Sequence, residues 1–99
     1  MTIVEIARFK LKAGADEQAF LAAEKGLMNG QIRQQTGFIS RQAAKGDNGE
    51  WVVILQWESA KDAEAWTPKF MQDQNGKAFA AQLDFSSMKQ DRYQIINFL

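Results

Sequence analysis

The stretch from Trp51 to Trp57 constrains the fold of this chain more than any other. Trp51, Val52, Val53, Ile54, Leu55 and Trp57 form an aromatic and β-branched run too continuous for a strand with one wet face, so it reads as a central strand covered on both sides. The run stops at Glu58-Ser59. The Ser59 hydroxyl can cap a helix whose third residue, Asp62, reaches back to the cap backbone. Every other element can be placed relative to this strand-to-helix corner.

Upstream, residues 2 to 11 alternate with period two. Ile3, Glu5, Ala7, Phe9 and Leu11 share one face, and Val4, Ile6, Arg8 and Lys10 the other, which predicts a first strand. Lys12-Ala13-Gly14 turns the chain, and Asp16 is placed to cap a helix running to about Gln35, ahead of Gly37. Phe20, Leu21, Leu27, Met28 and Ile32 form its apolar stripe. Gly26 and Gly30 weaken that helix, either to allow close packing or to mark a break near Asn29-Gly30. Phe38 to Lys45 predicts a second strand, joined to the central one by the hairpin loop Gly46-Asp47-Asn48-Gly49. The helix after Ser59 meets Thr67-Pro68, and an interior proline costs about 3 kcal/mol, so a break is expected there. A helical piece with Phe70 and Met71 follows, then, past Asn75-Gly76, a short helix over 77–83. The last strand is expected from about Met88 to Phe98.

Strand, helix, strand, strand, helix, strand is the order of two split βαβ units. It predicts an α+β, ferredoxin-like βαββαβ sandwich: a four-stranded antiparallel sheet with helices on one face. Residues 1–99 suffice for one domain, which at this size buries only roughly 60–65% of its unfolded surface. The open sheet face would carry Val4, Ile6 and, from the central strand, Val52 and Ile54 or their neighbours, and a homodimer pressing sheet against sheet would cover it.

Twelve basic and twelve acidic residues leave no net charge, so neither nucleic acid nor an anionic membrane surface is an expected partner. The chain has no cysteine and no histidine, which excludes disulfides, thiolate chemistry, a Ser-His-Asp triad and His-ligated metal or haem. The start of the sequence shows no basic leader ahead of an apolar run, and no segment reaches about 18 apolar residues, so the expected location is cytoplasmic.

The stretch Arg8-Phe9-Lys10-Leu11-Lys12-Ala13-Gly14, then Gly37-Phe38, then Trp57-Glu58-Ser59 followed by Trp66, resembles the dimeric α/β-barrel superfamily of the antibiotic biosynthesis monooxygenase type over the whole chain. The resemblance implies a dimeric barrel whose relatives include cofactor-independent quinone-forming oxygenases, haem-degrading enzymes and small isomerases. The haem-degrading branch uses an Asn on the first strand, a Trp on the second helix and an axial His. Trp66 matches the Trp, but Ala7 stands at the Asn position and the His position falls near Gly76, which argues against that chemistry here. For the quinone-forming branch, which holds a phenolate substrate, the resemblance brings forward Trp66 and, more loosely, Asn75 and Tyr93.

The residues themselves add a polar seam. Glu17, Glu24 and Gln31 fall inside the apolar stripe of the first helix, and Glu5 shares its strand face with Ile3, Ala7 and Phe9. A carboxylate enclosed in apolar surroundings can accept a proton from a phenol or an acidic C–H group. Glu24 can instead leave the core sideways or pair with Arg8 or Arg33, and Trp66 can be plain core. Arg8, Arg41 and Arg92, on three strands, could converge on an anionic substrate or form cross-strand pairs.

Three expectations follow. In the first, a mainly apolar pocket lies between sheet and helices, with Glu24, Glu5 and Trp66 as its catalytic residues and Phe9, Phe20, Phe70, Arg8 and Tyr93 against the substrate. The protein is then a small-molecule enzyme acting on an aromatic or polyketide-like compound by oxygenation or isomerisation, with no metal and no cofactor. In the second, it is a non-catalytic, dimeric ligand-binding or stress-responsive barrel. A pocket filled by Trp66, Phe70 and Met71 would leave only a structural or interaction role.

Overall fold

The computed structural model describes residues 1–98. Strand β1 (Ile3–Leu11) leads into helix α1 (Glu17–Met28), a 3-10 turn at Gln31–Gln34, strands β2 (Phe38–Lys45) and β3 (Trp51–Trp57), helices α2 (Ala60–Gln72) and α3 (Gln74–Ala80), and strand β4 (Leu83–Gln94). The four strands form one antiparallel sheet in the order β2-β3-β1-β4. This is the α+β, ferredoxin-like arrangement that the element order predicts.

Period two sorts the sheet residues. Ile3, Phe9, Trp51, Val53 and Trp57 are buried on the face the helices cover. There they form two clusters, one around Phe9, Phe20 and Phe79 and the other around Trp57, Ile32 and Trp66. Within this chain the cover of β3 is one-sided: Val52 and Ile54, on the other face, are only half-buried. Both helical crossovers pack on the same side, which leaves that face without a partner.

The caps act locally. Asp16 accepts from the Ala19 amide at 3.1 Å and opens α1. Ser59 accepts from the Asp62 amide at 3.1 Å, but its hydroxyl donates back to the Asp62 carboxylate at 2.9 Å, so that carboxylate closes on the cap side chain and not on its backbone.

Four boundaries depart from the sequence expectation. Helix α1 ends at Met28 and not near Gln35, because Gly30 leaves helical geometry (φ −101°, ψ −149°) and the following 3-10 turn drives Ile32 into the Trp57 cluster. Helix α2 runs through Thr67-Pro68 without the expected break. Glu64, whose carbonyl loses its amide partner to Pro68, lies with Pro68 on the exposed face, where water can satisfy that carbonyl, while Ala63, Trp66 and Phe70 hold the helix down from the inner side. The chain breaks instead at Asp73, whose carboxylate receives the Asn75 and Gly76 amides at 2.8 and 3.1 Å and starts α3 three residues earlier than expected. Strand β4 begins at Leu83, opposite Leu11, and ends at Gln94, so Ile95, Ile96 and Phe98 lie beyond it. Its register slips opposite Phe9, where Ser87 Oγ takes the Lys10 amide at 2.8 Å in place of a ladder carbonyl. Such a polar bulge, Asp84 to Ser87, does not look like strand in the sequence.

Gly76 is buried where α3 leaves α2, and a Cβ there would overlap the Phe70 carbonyl oxygen. Gly76→Ala is expected to cost about 1–3 kcal/mol through overpacking, read as a lowered urea midpoint at unchanged slope. An unchanged midpoint would mean that the two helices separate freely.

Candidate functional site

Between the helix-covered face of the sheet and helices α2 and α3 lies a cavity of about 340 Å³, within the range of small-molecule sites. It exists because the sheet supplies small side chains where the helices do not descend. In the row Ala43, Val53, Ala7, Gln90, which crosses all four strands, Ala7 and Val53 border the cavity, and Ala7 sits between the larger Glu5 and Phe9 on its face of β1. Trp66, Phe70 and Met71 of α2 and Phe79 of α3 border the space from above, so these side chains wall the cavity and do not fill it. Phe85, 63% exposed, reaches the cavity from the β4 bulge, and Met88 from just after it. A bulge turns side chains away from the pleat, which is how a residue outside the ladder comes to border the site.

The charged groups lie in the next row, Arg41, Leu55, Glu5, Arg92. Arg41 and Glu5 both border the cavity and are separated by Leu55, so their backbones stand about 10 Å apart, two strand spacings. The Glu5 side chain is 14% exposed. Arg92 donates to its Oε2 from Nη2 at 2.9 Å and from Nε at 3.1 Å, and from Nη1 to Glu64 at 3.1 Å. The Glu5 bonds, then Glu64, raise the Arg92 pKa above its ordinary value, so this guanidinium stays charged. Oε1 of Glu5 receives no hydrogen bond from the described residues and is the carboxylate oxygen available to a ligand.

Arg41 is 8% exposed. It donates from Nη1 to Glu24 and to Met28 Sδ, and its guanidinium lies over the Phe79 ring, 5.7 Å from the centroid. The partner of Glu24 is therefore Arg41, not Arg8 or Arg33.

The structure brings together Glu5, Trp66, Phe9 and Phe70 around the cavity. It does not bring in the other four expected residues. Glu24 lies behind Arg41 and is not on the lining, because its turn of α1 faces β2. Phe20 is fully enclosed in the core, against Trp51 and Phe79. Arg8 pairs with Asp91 at 3.6 Å on the opposite sheet face, since an even position of β1 points away from the helices. Tyr93 stands opposite Val4 on that same outer face and is 51% exposed. Asn75 packs its carboxamide against Gly26, where α1 meets α3. The three arginines do not converge: Arg41 alone borders the cavity. Met88, Phe85 and Gln90 escaped sequence reading. The one local signal for Phe85 is an isolated aromatic among the turn formers Asp84, Ser86 and Ser87.

Residues 2–69 match the model of the antibiotic biosynthesis monooxygenase family. No curated protein matches the chain significantly. Among solved structures, it superposes on SnoaB, a cofactor-independent oxygenase from Streptomyces nogalater, with a TM-score of 0.73 at 13% identity, covering 99% of this chain and 96% of that one. Rv0793 from Mycobacterium tuberculosis gives 0.75 at 17% identity over 99% and 98% of the two chains. A protein from Methanosarcina mazei Go1 gives 0.74 at 14% over 95% and 92%. At such identities the likeness is one of fold.

Proposed function

This chain belongs to the antibiotic biosynthesis monooxygenase family, and on that premise we propose that it is a small-molecule enzyme, acting on an aromatic or polyketide-like compound without metal, haem or flavin. The observation that carries the reading is the apolar cavity with the Glu5 carboxylate bordering it. A phenol seated against Trp66 and Phe70 would pass its hydroxyl proton to Glu5. The electron-rich ring then reduces dioxygen directly: phenol plus O₂ gives quinone plus water, the ring carbon gaining one oxygen atom and the other leaving as water. Isomerisation of a compound with an acidic C–H would use the same proton transfer and consume no oxygen.

Oxygen uptake by the purified protein with a panel of naphthols and quinols tests this. Glu5→Gln is expected to lower turnover by about 10²–10⁴-fold while leaving affinity nearly unchanged. Equal turnover by the variant would remove Glu5 from the chemistry. One observation favours a second reading, a ligand-binding barrel without turnover: Arg92 already holds Glu5 Oε2 through two donors, a geometry that suits a fixed hydrogen-bond anchor. That reading expects ligand binding with no oxygen consumed.

The proposal includes a homodimer through the open sheet face, where half-buried Val4, Ile6, Val52 and Ile54 support an apolar contact framed by Arg8 and Tyr93. Ile54→Lys is expected to convert a dimer into a monomer in sedimentation at micromolar protein. A wild-type chain that sediments as a monomer there would reject the dimer.

A further inference from the structure

We propose that the compound held in this cavity is a hydroxyaryl carboxylic acid, its carboxylate seated on the Nε–Nη2 edge of Arg41 and its hydroxyl directed at Glu5. The proposal deepens the reading above and rests on it in one respect, that the cavity is a ligand site.

Both side-chain hydrogen bonds of Arg41 leave from Nη1, to Glu24 Oε2 and, at 3.4 Å, to Met28 Sδ. Nε and Nη2 have no acceptor among the described residues. Neither atom is sealed off, in contrast to the enclosed and partnerless Glu24 Oε1, and Arg41 borders the cavity. A buried guanidinium with unused donors is an incomplete arrangement, since buried polar groups normally find partners. The Nε–Nη2 edge presents two parallel N–H groups at the spacing of two carboxylate oxygens, which an ammonium cannot reproduce.

The edge is also held in place. Glu24 and Met28 grip Nη1, and the Phe79 ring lies 5.7 Å from the guanidinium carbon, so little side-chain freedom remains to be lost on binding. Glu24 is thus a positioning residue. Across Leu55 in the same sheet row, Glu5 offers Oε1 as an acceptor. A cation edge and an acceptor about 10 Å apart at the backbone, with apolar rings above, suit a rigid aromatic frame carrying a carboxylate at one end and a hydroxyl at the other.

The probe is 6-hydroxy-2-naphthoate, compared by calorimetry with the neutral 6-(hydroxymethyl)-2-naphthol of similar shape. Wild-type protein is expected to bind the carboxylate at least about tenfold more tightly, a difference of about 1.4 kcal/mol. The preference should fade below about pH 4 as the ligand protonates. Arg41→Lys keeps a charge and removes the fork, and is expected to abolish the preference while leaving the neutral compound's affinity within about twofold. Should that variant not fold by circular dichroism, Glu24→Gln, which loosens the grip on Nη1, is expected to reduce the preference severalfold. Equal affinities in the wild type, or a preference untouched by the folded variant, would overturn the anchor. Binding of neither compound would overturn the ligand site along with it. A carboxylate preference with no oxygen uptake in the same sample upholds the anchor and rejects only the oxygenase reading.

Discussion

Arg41→Leu is expected to destabilise the folded protein by about 3–5 kcal/mol, because it strands the Glu24 carboxylate with no counter-ion in the space between α1 and β2. The two side chains are 5% and 12% exposed, so water can solvate little of the abandoned charge, and one oxygen of Glu24 already receives no hydrogen bond from the described residues. A loss of that size is a large part of the roughly 5–15 kcal/mol that holds a domain together. The double variant Arg41→Leu with Glu24→Leu removes both charges and is expected to recover most of the loss, since a buried ion pair replaced by apolar groups is often neutral. Chemical denaturation of the single and double variants measures this directly. Single and double variants of equal stability would show that Glu24 reaches water without Arg41.

The second large effect is at Phe20. Its ring is 0% exposed, with centroids 4.9 Å from those of Trp51 and Phe79 and 6.0 Å from that of Phe9. Phe20→Ala deletes the hub of that cluster and is expected to cost about 3–5 kcal/mol, part of it from the cavity left behind. Thermal unfolding of the variant decides between core and ligand wall. A variant that keeps its melting temperature and loses only ligand affinity would return Phe20 to the site.

The candidate site was legible in part, and the split follows face by face. Glu5 and Phe9 share a period-two face with Ile3, and Trp66 and Phe70 lie four apart on one helix stripe, so sequence spacing alone could bring these four toward one space. Arg8 and Tyr93 occupy the outer face: for Arg8 the alternation along β1 already says so, whereas for Tyr93 only its pairing with Val4 reveals it. Glu24 and Arg41 are 17 residues apart, on a helix and a strand whose relative rotation no local pattern specifies.

What the sequence determined by itself is the strand-to-helix corner at Trp57-Ser59, the caps at Asp16 and Ser59, the Gly46–Gly49 hairpin loop and the order of the elements. Each depends on contacts within a few residues: a hydroxyl and an amide one turn away, or alternation along a single strand. Tertiary structure decided the rest: that α2 passes through Pro68, that β4 starts at Leu83 with a bulge carrying Phe85, and that a cavity remains above Ala7. These are outcomes of packing. A helix tolerates an interior proline when Trp66 and Phe70 anchor both sides of it, and a cavity is the space that four strands and three helices fail to fill, a difference between summed volumes that no single segment contains.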